Sequence, residues 1–103
     1  MEELNSKDWF EKSSSDTGAV ILDVRTPEEC EEGIIPGAMQ MDILNPGEFM
    51  QKAQELDASK SYYVYCRAGG RSAQACAVLK SLGINDTYNL VGGITEWDGP
   101  IEK

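Results

Sequence analysis

Apolar and polar residues alternate in blocks whose period changes several times along the chain. "AVILDV", Ala19 to Val24, is almost unbroken apolar sequence, as expected of a strand covered on both faces. "SYYVYC", Ser61 to Cys66, has the same character, "DTYNLVGG" supplies another strand, and a shorter one lies around Met39 to Met41. Helical patterns fall between them. "NSKDWFEKS" reads as a short helix capped by Asn5 or Ser6. "TPEECEEG" sets Thr26 as cap, Pro27 in the first helical position, Glu28 and Glu29 in the first turn, and Gly33 as the stop. In "PGEFMQKAQEL", Phe49, Ala53 and Leu56 recur at helical spacing. From Ser72, "SAQACAVLKSLG" predicts a helix with Ala73, Cys76, Ala77 and Leu79–Leu82 on its apolar face and Gly83 at its end. "ITEW" predicts a short helical turn and "DGPIEK" a tail.

Strands and helices in this order predict an α/β domain of three layers, with a mainly parallel central sheet flanked by helices. A length of 103 residues fits one domain, 1–103, with its own core. Repeats, low-complexity tracts and linkers are absent from the sequence.

The formal net charge of -9 argues against nucleic acid or an anionic membrane as partner. It reads first as a solubilising surface, and it would favour a basic patch on a partner protein. No apolar run approaches a membrane span, and the acidic, amphipathic "MEELNSKDWFEK" does not read as a secretory signal. Three cysteines (Cys30, Cys66 and Cys76) include no CxxC pair, and there is no histidine. That set predicts neither a disulfide framework nor a metal site, and a reducing cytoplasm is the expected compartment.

One stretch concentrates chemistry. "YCRAGGRS" places Cys66 at the carboxyl end of a strand, just before a glycine-rich turn and a helix start, where sheets of this kind bind ligands. Gly69 and Gly70 permit positive φ, so the loop can aim successive N–H groups inward as an anion-binding nest. The helix starting near Ser72 adds partial positive charge, and Arg67 and Arg71 add full charges. These surroundings favour a thiolate, pulling the pKa below the free-cysteine value of about 8.5. Arg67, Ala68, Gly69, Gly70, Arg71 and Ser72 are therefore the expected substrate-binding loop around a nucleophilic Cys66.

Three segments resemble the single-domain rhodanese (thiosulfate sulfurtransferase) family, and the similarity spans nearly the whole chain. "ILDVRTPEECEEGIIPGA" resembles its N-terminal signature, "VYCRAGGRSAQA" its active-site loop and "NLVGGITEW" its closing Gly-Gly-x-x-x-Trp element. Two positions depart from the family pattern: Ile34 stands where a histidine is common, and Cys30 where an aromatic is usual. The resemblance implies a persulfide relay on Cys66. A small anionic sulfur donor such as thiosulfate would load the cysteine, and cyanide, a small thiol or a protein thiol would take the sulfur. No metal or organic cofactor is implied. Cysteine-based phosphatases of related fold use a loop one residue longer, whereas here four residues separate Cys66 from Arg71, as in the sulfurtransferases. The alternative reading is a rhodanese-like interaction or sulfur-sensing module without turnover. The retained cysteine weighs against it.

Other residues read as support. Asp23, at a strand end, is expected to hold loop amides or an arginine, and Arg25 to pair with Glu28 or Glu29. Arg71 is expected to brace the loop against an acid such as Asp23, leaving Arg67 to meet solvent and substrate. Cys76, Trp9 and Trp97 read as packing, and Cys30 and Cys76 carry no expected resolving role.

Overall fold

The apolar runs become strands where both faces find partners, and the punctuated segments become the helices that cover them. In the computed structural model, which describes residues 1–103, the chain runs β1 (Glu2–Leu4), α1 (Ser6–Ser15), β2 (Ala19–Asp23), α2 (Pro27–Cys30) and β3 (Met39–Gln40). It continues through α3 (Pro46–Ala53), β4 (Ser61–Tyr65), α4 (Gly70–Ser81) and β5 (Thr87–Leu90) to a 3-10 turn at Gly93–Glu96. The five strands are all parallel, in the order β1-β5-β4-β2-β3. This is the expected α/β architecture. No helix is long and apolar enough to cross a membrane.

Strand alternation in β4 divides the core between the two faces of the sheet. Tyr62, Val64 and Cys66 join Leu22, Met41, Phe49, Ala75, Cys76 and Leu79 in the cluster shared with α3 and α4. Tyr63 and Tyr65 turn to the other face and pack with Trp9, Ile35 and Leu90. Trp9 is fully buried, edge-on to Tyr63, Tyr65 and Trp97, and its indole N–H donates to the Tyr88 carbonyl at 3.2 Å.

Caps fall where side chains can supply them. Asn5 accepts from the Asp8 amide at 2.9 Å, and Thr26 and Glu29 form a reciprocal capping box at the start of α2. Helix α4 begins at Gly70, earlier than expected, so Arg71 and Ser72 lie in its first turn. Its buried residues are Ser72, Ala75, Cys76 and Leu79, whereas Ala77 is exposed. The expected face was therefore rotated by about one residue.

Two features had no expectation. β1 pairs along the outer edge of β5, from Glu2 against Tyr88 to Leu4 against Leu90. Near the C-terminus, Glu102 forms an antiparallel bridge with Ile34, with N–H to O distances of 2.8 and 2.9 Å.

Asp23 and Arg25 form a buried ion pair, with the guanidinium forking onto the carboxylate (Nη2–Oδ2 2.7 Å, Nε–Oδ1 2.9 Å). Arg25 therefore takes Asp23 rather than the Glu28 or Glu29 carboxylate. Asp23 reaches neither the loop amides nor Arg71, because Arg25 and the Tyr65 hydroxyl occupy its oxygens. The same hydroxyl accepts from the Ile35 amide at 3.1 Å, and Arg25 donates to the Gly33 carbonyl at 2.8 Å. The turn after α2 is thereby tied to the ends of β2 and β4. Removing one member of so buried a pair strands the other charge. Asp23→Ala should destabilise the fold by about 3–5 kcal/mol, read as a lowered urea midpoint with an unchanged slope.

Candidate active site

Cys66 is the first residue after β4, and its backbone sets where the sulfur sits. Its carbonyl accepts from the Ile94 amide at 3.0 Å, and the next carbonyl, Arg67, accepts from the Thr95 amide and hydroxyl at 3.2 and 3.1 Å. The 3-10 turn thus props the back of the loop. That approach requires Gly93: at φ +59° a Cβ there would stand 2.3 Å from the Arg67 carbonyl oxygen.

Gly69, at φ +107°, turns the chain so that its N–H donates to Cys66 Sγ at 3.0 Å. Gly70 lies in ordinary helical backbone, so of the two glycines only Gly69 supplies the left-handed turn. The Ser72 hydroxyl lies 3.4 Å from the sulfur and 3.1 Å from the Gly69 carbonyl oxygen. Burial alone would raise the Cys66 thiol. The Ser72 hydroxyl and the amides of Ser72, Gly69 and Ala68 outweigh it and hold the pKa below its ordinary value. The other two thiols go the opposite way: burial pushes Cys76 up to about 11, and burial with Asp23 pushes Cys30 up to about 12. All three are free.

The arginines do not act as free charges. Arg71 forks onto Glu29 of α2 at 2.7 and 2.8 Å, and Arg67 reaches the same carboxylate through Nε at 3.3 Å. Arg71 is thus braced by Glu29 where Asp23 was expected, because Asp23 is already engaged by Arg25. Arg67 is the more exposed of the two, with 56% of its side chain accessible against 23% for Arg71. Arg25 supports this clamp from behind, donating to the Glu29 carbonyl at 3.4 Å.

Of the expected loop residues, Ala68, Gly69 and Ser72 face the Cys66 sulfur. Gly70 begins α4, and the side chains of Arg67 and Arg71 turn to Glu29. Arg25, held by Asp23, reaches the Glu29 carbonyl. Sequence reasoning named Glu29 only as a possible partner of Arg25, not of the loop arginines, and missed Asn89, whose Oδ1 faces the Ser72 hydroxyl. The clefts of the molecule lie elsewhere. One of about 130 Å³ is lined by Trp9, Phe10, Ile21, Ile35 and Pro36 on the α1 side. A loop closed around a single sulfur forms no cleft of its own, so the chemistry of the loop outweighs cleft size here. No three acidic or cysteine side chains are placed to hold a metal ion.

A family model for the rhodanese-like domain matches residues 6–99. A sulfurtransferase of Allochromatium vinosum is 34% identical over 96 residues, covering 92% of this chain and 86% of that protein. The thiosulfate sulfurtransferase GlpE of Pseudomonas syringae pv. syringae is 35% identical over 80 residues, 78% of this chain and 73% of its own. The crystal structure of a rhodanese-like domain protein from Staphylococcus aureus superposes with a TM-score of 0.84 at 29% identity, over 99% of this chain and 97% of that one.

The hydrogen bonds from Arg71 hold the Glu29 carboxyl down at about 2, against an ordinary value of 4.5, although burial opposes them. A carboxyl depressed in the folded state adds stability that is complete above about 4.5 and fades as pH falls through about 2. Glu29→Gln should therefore flatten the acid limb of stability across that window, measured as urea midpoint against pH.

Proposed function

This chain belongs to the rhodanese-like domain family, and on that footing we propose that residues 1–103 form one catalytic domain that transfers sulfane sulfur through Cys66. The relatives named as sulfurtransferases support the reaction class. The observation that carries the assignment to Cys66 is the Gly69 amide directed at its sulfur, in the one thiol of three held below its ordinary pKa.

The Cys66 thiolate attacks the outer sulfur of thiosulfate or of a persulfide donor. A bond forms between Sγ and that sulfur, the donor's S–S bond breaks, and sulfite or a thiolate leaves with the electron pair. The outer sulfur of the Cys66 persulfide then carries the negative charge, within reach of the amides of the 66–72 loop. Cyanide, a small thiol or a protein thiol attacks that outer sulfur and regenerates the thiolate, so two half-reactions alternate at one residue. The protein supplies the cradle, and no cofactor enters the scheme. Three free thiols suit a reducing cytoplasm as the place of work.

Intact mass after incubation with thiosulfate should rise by one sulfur atom and fall back with a reducing thiol. Cys66→Ser should abolish both the mass gain and sulfur transfer to cyanide while keeping the fold. An unmodified mass with the native chain would instead favour a non-catalytic interaction module.

Arg67 and Arg71 should separate kinetically. Arg67→Ala removes the exposed charge that offsets long-range repulsion of a dianion by an acidic chain, so the KM for thiosulfate should rise more than turnover falls. Arg71→Ala breaks the fork onto Glu29 beside the helix start, so turnover should fall. Steady-state kinetics at two salt concentrations would settle it, and identical behaviour of the two variants would refute the division.

A further inference from the structure

The Ser72 hydroxyl has more acceptors than protons. It carries one hydrogen and faces three atoms that could take it: Cys66 Sγ at 3.4 Å, the Gly69 carbonyl at 3.1 Å and Asn89 Oδ1, the shortest of the three contacts. The direction of the Asn89 amide is fixed from its other end. Its Nδ2 donates to Glu3 Oε1 of β1 at 3.1 Å and to the Gly69 carbonyl at 3.2 Å, so its oxygen points at Ser72. Ser72 and Asn89 are both buried, with at most 1% of either exposed.

Two proton arrangements follow. With Cys66 as a thiol, the S–H donates to Ser72 Oγ and the Ser72 O–H donates to Asn89, so every group is satisfied. With Cys66 as a thiolate, the sulfur needs donors, and the Ser72 O–H can turn to it only by leaving Asn89 Oδ1 bare in a buried site. A buried acceptor without a donor is costly.

We propose that Asn89 is a positioning residue that competes with Cys66 for the single proton of Ser72, and so governs how readily the nucleophile ionises. If Cys66 carries sulfur as proposed above, the competition also distinguishes the two states of the enzyme. In the persulfide the charge sits on the outer atom, Sγ no longer calls on Ser72, and the hydroxyl returns to Asn89. The penalty then falls on the bare thiolate and spares the loaded form.

The other charged or ionisable groups near the thiol are Arg67 and Arg71 on its own loop, Glu29 facing them from α2, Asp42 beyond β3 acting on Arg71, and Glu3 from β1 behind Asn89. Beside them, Asp23 and Tyr65 close the ends of β2 and β4, next to Arg25 and Cys30. None of these bonds to the Ser72 hydroxyl, so a cycle built on Ser72 isolates the effect of Asn89 from theirs.

The experiment is the pH dependence of Cys66 alkylation by iodoacetamide in the full chain carrying Cys30→Ser and Cys76→Ala. It requires no turnover, so it stands or falls independently of the sulfurtransferase reading. Asn89→Ala frees the hydroxyl, and the apparent pKa should drop by about half a unit to one unit, roughly a three- to tenfold change in the thiol–thiolate equilibrium. Combined with Ser72→Ala, the same substitution should produce no drop. A residue that merely held the loop together would act with the opposite sign, because loosened donors raise the pKa. A rise, no change, or an equal drop without the Ser72 hydroxyl overturns the proposal. Should the Asn89→Ala chain lose its far-UV circular dichroism, Asn89→Asp takes its place. That stronger acceptor must raise the pKa more with Ser72 present than in the Ser72→Ala chain, and equal rises overturn the proposal.

Discussion

A parallel sheet sends the carboxyl end of every strand to the same edge, and what is built at that edge takes its position from the pairing of β2, β4 and β5. The register sets Asp23 beside Tyr65 and Val64 beside Asn89. From those pairings follow the buried Asp23–Arg25–Tyr65 cluster on one side of the Cys66 loop and the Asn89 amide on the other. The loop itself contributes a left-handed glycine and little more. Its shape is imposed from behind by the 3-10 turn and from the sides by strands fixed in the sheet.

Charge is arranged here in a way that composition does not suggest. An acidic chain brings two arginines to one loop and then binds both to a single carboxylate, leaving a net charge of about one at the rim. The Cys66 sulfur is met at shorter range by amide and hydroxyl donors, which favour its charged form. Such donors are fixed dipoles that add no net charge to repel or attract distant partners. The donors to the sulfur and the charges at the rim are therefore separate sets of groups.

Much of this was legible in the sequence because it is local. The runs at Ala19–Val24 and Ser61–Cys66 could only be doubly covered strands, and Thr26 with Glu29 marks a helix start by the geometry of one turn. The cysteine loop is likewise contiguous. β1 was not legible: Glu2 and Glu3 are exposed and polar, and the strand exists because β5 offers it an unpaired edge. Ion-pair partners were equally hidden. Eighteen acids and nine bases allow many pairings, and nothing in the chain text shows that Asp23 is spent on Arg25, leaving Arg71 to Glu29. The second glycine misled because glycine permits a left-handed turn without requiring one, and Gly70 simply begins a helix.

The donors to the Cys66 sulfur lie on its own loop, but the groups that hold that loop are scattered in time as well as in sequence. Ile94 and Thr95 hold the backbone of its loop, Asn89 lies on the last strand, and Glu3 lies on the first. On a ribosome, a chain that has emerged only as far as α4 carries the cysteine without its supports, next to a sheet that still lacks β5 and β1. Gly69 and Ser72 are then already made, but the loop that aims them at the sulfur is not yet held. The cradle around the sulfur therefore takes its final shape only when the last strand and turn have closed, whatever the order in which its parts were made.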